Sequence, residues 1–144
     1  MITVFRGARH VGDNPLLDSM YRDRRRVFID LMKWDVPVVE GEFERDQFDD
    51  GSAIYLIATR DGSDHLGSFR LLPTDGPHIL GSLFAGLCDV PVPKGPSILE
   101  ISRACVTPRV RATERLRIRN ALISASVDYA LSHEIRSYSC IADT

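Results

Sequence analysis

Between Glu42 and Gly51 the chain reads EFERDQFDDG: five carboxylates around a single arginine, with two phenylalanines among them. A solvated acidic loop rarely carries phenylalanine, and a core strand rarely carries so many acids. The segment reads as a lid in which Phe43 and Phe48 anchor to the core while Asp46 and Asp49, three apart, turn inward. Glu42, Glu44 and Asp50 are expected to stay in water. Two other places set charge inside apolar pattern. SILEISRACV embeds Glu100 and Arg103 in a strand, where each is costly unless paired or facing a pocket. Arg24 lies on an apolar helical stripe, four residues from Met20 and four from Phe28, so it needs an anionic partner, a cavity or a snorkelling path to the rim.

The elements that must position these groups follow from periodicity. Residues 2–5 suit a short strand. From Pro15, spacings of three, four and seven among Leu16, Met20, Val27 and Leu31, interleaved with Leu17, Tyr21 and Phe28, predict a helix. Arg22, Asp23, Arg25 and Arg26 fall largely off its stripe. The acid-rich stretch after Lys33 reads as a long functional loop, with Trp34 and the phenylalanines arguing against disorder. AIYLIATR and HLGSFRLLP form a hairpin about a turn containing Asp61-Gly62, with Ser68, Arg70 and Leu72 sharing one face. Residues 73–96 read as loop, short helix or turn, loop. In the strand that follows, strict alternation would place Glu100 and Arg103 on opposite faces; a shared site requires the strand to bulge or splay. After Pro108 a long helix begins basic and continues as ALISASVDYAL, apolar almost all round, so the basic end should project and the other end pack. IRSYSCIA is a last strand.

At 144 residues the length suits one domain, and a net charge of −2 with 44% hydrophobic residues demands neither nucleic acid nor membrane as partner. Three cysteines without paired spacing read as reduced thiols, and neither they nor His78, which has no second histidine at ligand spacing, suggest a metal site. No run suits a signal peptide or a membrane helix, which points to the cytoplasm. The charge is segregated, however: residues 36–64 carry a net −6 and residues 103–119 a net +5. One region could attract a cation and the other an acidic partner.

YRDRRRVFIDLMKWDV, ERDQFD, GSFRLLPTDGPHIL and ILEISRACVTP together resemble the acyl-homoserine-lactone synthases, the LuxI-type autoinducer synthases. The resemblance runs from about residue 2 to residue 140. It implies a GNAT-type N-acyltransferase fold of the α/β (α+β) class: a mixed, largely antiparallel sheet with flanking helices and a splayed central strand pair. The family's functional positions match Arg24, Phe28, Trp34, Asp46, Asp49, Arg70, Glu100 and Arg103. The implied reaction has two steps. The amine of S-adenosylmethionine, a substrate and not a cofactor, attacks the thioester of an acyl-acyl-carrier protein; the methionyl carboxylate then closes the lactone and expels methylthioadenosine.

Such a substrate needs both signs of charge and an aromatic surface. Asp46 and Asp49 could hold its cationic end, Arg24 or Arg103 its carboxylate, and Trp34 and Phe28 could wall the pocket. Glu100 is the candidate proton acceptor for the attacking amine, since burial would raise its pKa. A plainer reading makes Arg24, Arg70 and Arg103 with Asp46, Asp49 and Glu100 an internal ion-pair network pinning the loop, with Asp46 and Arg70 its first members. Arg109, Arg111 and Arg115 suit docking of an acidic carrier protein; a solvated helix end is the alternative. Phe84 is a further substrate-binding candidate and could, with Leu87, line the acyl pocket, although core packing suits both.

Two rivals stand beside this reading. An acyl-CoA-dependent N-acyltransferase would usually carry a glycine-rich turn after the splayed strand, whereas TPRVRATERL has no glycine. A shortened, non-catalytic domain that binds S-adenosylmethionine or carrier protein is suggested by length: the family normally continues further, and ending at Thr144 should leave one side of the sheet uncovered. Cys140 and Ala142 lie where the family's acyl-selectivity contacts begin.

Overall fold

The computed structural model describes residues 1–142. A five-stranded sheet has the order β1-β4-β5-β6-β7, with β1 at Ile2–Arg6, β4 at Ile54–Thr59, β5 at His65–Pro73, β6 at Ile98–Val106 and β7 at Ser137–Cys140. All neighbours are antiparallel except β6 and β7, which pair in parallel over four residues from Ile98 and Ser137. β7 pairs with β6 only as far as Ile101 and Cys140. Helix α1 (Pro15–Arg24) covers one face and α3 (Ala112–Ser132) the other. Among the described residues no helix is long and apolar enough to cross a membrane.

Local chemistry accounts for each element. Asn14 caps α1 by accepting the Leu17 N–H, and Pro15 starts the helix, where its missing donor costs nothing. Leu16, Leu17, Met20 and Tyr21 pack on Tyr55, Ile57 and Leu72. The helix expected through Leu31 changes pitch: Arg25–Leu31 is π-helical, with Met32 N–H bonded to the Val27 carbonyl. The wider turn rotates Leu31 out to solvent while Phe28 stays buried.

Strand β4 is buried along its whole length, as befits a strand with a helix on each face. The hairpin closes where Asp61 Oδ1 accepts the Ser63 and Asp64 N–H groups. Ser68, Arg70 and Leu72 face α1 and Gly67, Phe69 and Leu71 face α3, as the alternation predicts. The acid-rich stretch is not loop throughout. Val38–Val39 (β2) and Phe43–Glu44 (β3) make a small hairpin across the three residues Glu40, Gly41 and Glu42, where Glu40 and Gly41 take positive φ (52° and 66°) and the Glu42 N–H bonds the Val39 carbonyl. Between β5 and β6 a short helix α2 (Ile79–Leu83) leads into a single 3-10 turn.

The second half of α3 packs through one face only, although its sequence is apolar almost all round. Leu122, Ser126 and Tyr129 are buried, but Ile123, Val127 and Leu131 stay exposed, because only one face of the helix meets the sheet.

Candidate active site

The parity conflict in β6 is resolved by a bulge. Ser102 pairs with Arg70 and Cys105 with Ser68, so Arg103 and Ala104 together oppose the single residue Phe69. Arg103 takes φ 50°, a left-handed conformation that costs a non-glycine residue about 1–2 kcal/mol. The extra residue brings Glu100, Ser102, Arg103 and Cys105 to the α1 face. Glu100 and Arg103 therefore share a side of the sheet, as a joint site requires.

Over that face lies a network of three guanidinium groups and three carboxylates. Arg24, from the end of α1, makes a two-pronged pair with Asp49 at 2.9 and 2.8 Å and donates from Nε to Glu44 at 2.9 Å. Arg70 donates to Asp46 at 2.6 and 3.2 Å and to Ser102 Oγ at 3.0 Å, and its guanidinium lies 3.1 Å from Asp49 as an ion pair. Arg103 donates to Glu44 at 2.8 Å and to Asp46 at 2.9 Å. The lid is also tied to itself, since Asp49 accepts the Asp46 N–H and Asp46 accepts the Phe48 N–H. Phe43 and Phe48 are buried as anchors, as expected. Glu44, Asp46 and Asp49 converge within 4.8 Å, a grouping that could suit a metal, yet each carboxylate here faces arginine.

Burial would push the Asp49 carboxyl up, but Arg24, and then Arg70, more than offset it and hold it far below the usual carboxylate range. Burial pushes the Tyr55 hydroxyl far up, and Asp49 adds to the effect; the neutral phenol donates to Asp49 Oδ1 at 2.6 Å. Burial alone would depress the Arg24 pKa, while Asp49 and Glu44 raise it well above its ordinary value. Asp49 and Arg24 are ionised struts, and Arg24, 1% exposed at its side chain, has its guanidinium turned to protein and not to solvent.

Glu44 corrects the sequence expectation that it stays in water. It is fully buried and joins Arg24 to Arg103. Asp23, read as off the apolar stripe, is fully buried as well. Two buried residues in a row on the two-residue strand β3, Phe43 and Glu44, defeat an alternation rule that assumes one solvent face.

The network opens toward solvent at Arg103 and Asp46, whose side chains are 8% and 12% exposed. There Phe28 and Trp34 stack with centroids 4.6 Å apart and planes at 24°. The Arg103 guanidinium lies over both rings, 5.6 and 5.4 Å from their centroids. Phe28 and Trp34 thus stand beside Arg103 at the edge of the network.

Glu100 is 1% exposed, and its two oxygens accept the Ile79 and Leu80 N–H groups at 2.8 and 2.9 Å. It ties the start of α2 to β6, and each oxygen keeps a second lone pair. Phe84 and Leu87, for which core packing was the favoured alternative, are exposed, because the short helix turns them outward. Arg111 and Arg115 are exposed at the start of α3. Arg109 is tethered: it donates to Asp64 at 3.0 Å, to Asp23 at 3.3 Å and to the His65 carbonyl at 3.1 Å.

Comparisons with known proteins bear on the family and the fold. Residues 10–143 match the family model of the autoinducer synthases. An acyl-homoserine-lactone synthase from Rhizobium etli is 33% identical over 128 residues, covering 87% of this chain and 60% of that protein. One from Ralstonia solanacearum is 39% identical over 82 residues, 56% of this chain and 40% of the relative. Among solved structures, BjaI, described as a CoA-dependent acyl-homoserine lactone synthase with SAM and isopentyl-CoA, superposes with TM-score 0.85 at 28% identity, covering all of this chain and 67% of that one. The chain spans roughly half the length of the curated relatives it matches. With its bulged strand and its paired arginines and lid acids in place, the chain belongs to the autoinducer synthase family.

Proposed function

We propose that this chain makes N-acyl-homoserine lactones, the signals of bacterial quorum sensing, from S-adenosylmethionine and an acyl thioester in the cytoplasm. The supporting observation is the mouth of the network, where a carboxylate, a guanidinium and an aromatic stack meet at the solvent boundary. Asp46 receives the cationic end of S-adenosylmethionine, Arg103 orients its carboxylate, and Phe28 with Trp34 supports the sulfonium and adenine. Arg24, Asp49 and Arg70 hold the lid from beneath.

In the first step the substrate amine forms the amide bond as the thioester C–S bond breaks, and the thiolate leaves. The amine proton passes to Glu100, directly or through one water on a lone pair that the Ile79 and Leu80 amides leave free. In the second step the carboxylate oxygen bonds to the γ-carbon. The C–S⁺ bond breaks, its electron pair goes to sulfur, and methylthioadenosine leaves.

An acylated acyl-carrier protein is the donor this reading favours, because Arg111 and Arg115 present positive charge next to the end of β6. Acyl-CoA is the second reading, favoured by the likeness to a CoA-dependent synthase; a turn without glycine is therefore a weak argument against it. Purified protein supplied with S-adenosylmethionine and either donor should release lactone and methylthioadenosine in equal amounts, faster with the carrier-protein donor. Absence of lactone with both donors would overturn the proposal. Glu100→Gln should lower turnover by about 10²-fold or more; near-normal turnover would remove Glu100 from the chemistry.

A further inference from the structure

A second row of polar groups lies buried beside the network. Asp23 Oδ2 is 2.7 Å from His65 Nδ1, His65 Nε2 is 2.9 Å from Ser68 Oγ, and Ser68 Oγ is 3.8 Å from Cys105 Sγ. Arg26 and Arg109 hold Asp23 from outside at 2.7 and 3.3 Å. The residue types are those of a nucleophilic triad, but exposure decides against that use. Asp23 and His65 are 0% exposed, and the Ser68 hydroxyl is enclosed between the His65 ring and the Cys105 thiol, at 2.9 and 3.8 Å, which leaves no room at Oγ for an acyl group. Burial pushes the Cys105 thiol up to about 12, which keeps it protonated and inert.

The proton directions along the row follow from its ends. Against the effect of burial, His65 and then Arg26 bring the Asp23 carboxyl down to about 2, so it accepts. Nδ1 of His65 therefore carries the hydrogen. Burial holds the imidazole neutral, leaving Nε2 as an acceptor, a tautomer assigned here from its partners. Ser68 donates to Nε2, and its free lone pair receives the Cys105 S–H. Every link has one direction, and none is shared with solvent.

The placement of the row gives it a purpose. Ser68 and Cys105 are register partners at one lip of the bulge, and Arg70 and Ser102 are partners at the other. Arg103 sits between the lips in its left-handed conformation, which persists only where the surroundings hold it. The far end of the row, Asp23, is the chain neighbour of Arg24. We propose that Asp23, His65 and Ser68 are positioning residues: a buried strut from α1 through β5 to β6 that holds the bulge so that Arg103 lies over Trp34 and Phe28. The catalytic consequence rests on the reading of that site given above; the strut itself does not.

Trp34 is the only tryptophan in the chain, and it lies under Arg103, so its emission reports the guanidinium without any turnover. Ser68→Ala removes the hydroxyl that links His65 to Cys105 and leaves little cavity. It should move Trp34 emission toward that of Arg103→Ala. It should also lower kcat by about 10–10²-fold, with KM for S-adenosylmethionine changed less than about twofold, since the aromatic wall and Asp46 remain. His65→Ala should do the same where it folds. A folded Ser68→Ala protein with wild-type Trp34 emission overturns the strut, whatever its activity. A shifted emission with undiminished turnover supports the strut and overturns the catalytic reading of Arg103.

Discussion

Asp49 shows how much of this site is spent on holding itself together. Its two oxygens take Arg24, Arg70, Tyr55 and the Asp46 amide, and its side chain is fully buried. Removing one partner of such a pair leaves uncompensated buried charge and typically costs about 3–5 kcal/mol. Asp49→Asn should therefore destabilise the protein by about that amount at pH 7. The folded carboxyl is held well below its ordinary value of 3.8 by Arg24 and Arg70. A depressed acid contributes stability that is fully present above the unfolded value and is lost as the pH falls through the folded one. The gap between the native protein and Asp49→Asn should thus be constant from pH 7 to pH 5 and narrow below pH 4. Urea titrations at stepped pH read it directly, and a gap that stays constant into acid would show that Asp49 is not the ionised strut described.

At the scale of elements, β6 was the most legible part of the chain. Glu100 and Arg103 conflict with strict alternation, so a shared face needs a bulge or a splay, and a bulge is what forms. The hairpin, the shared face of Arg70 and the anchoring of Phe43 and Phe48 were legible for the same reason: period-2 patterning and turn chemistry are local. The π-helical turn after Arg24 and the burial of Glu44 and Asp23 were not. The burial of the two acids depends on Arg103 and His65, more than forty positions away, and no spacing rule sees that. Gly67 carries a similar non-local constraint. It lies under α3, where an added Cβ would sit 2.7 Å from Ile118 Cγ2 and 3.1 Å from the Cys105 carbonyl. Gly67→Ala should cost about 1–3 kcal/mol by overpacking. Combined with Ile118→Ala, which removes the nearest methyl, the loss should be smaller than the sum of the two single changes. Strict additivity in thermal unfolding would mean that α3 moves aside without strain.

Over the whole molecule, folding spends part of the charge segregation and leaves part exposed. Arg103 is taken up by Glu44 and Asp46, Arg109 by Asp64 and Asp23, and Glu114 pairs with Arg60. Arg111, Arg115, Arg117 and Arg119 remain at the surface of the first turns of α3, on a protein whose overall charge is −2. A local positive field on a weakly negative body orients an acidic partner more than it raises general attraction. Such steering acts within a screening length of about 8–10 Å at ordinary salt and weakens as salt rises. Turnover with a carrier-protein donor should therefore fall steeply with ionic strength, and turnover with a small acyl-pantetheine thioester should barely respond. Arg111→Glu with Arg115→Glu should raise KM for the carrier-protein donor several-fold and flatten its salt dependence, with the small donor unaffected. Arg109 is the wrong residue for this test, since its tether to Asp23 and Asp64 makes its loss a structural change. An equal loss with both donors in the Arg111/Arg115 variant would mean that these arginines serve the acyl site or the fold, and that no protein docks there.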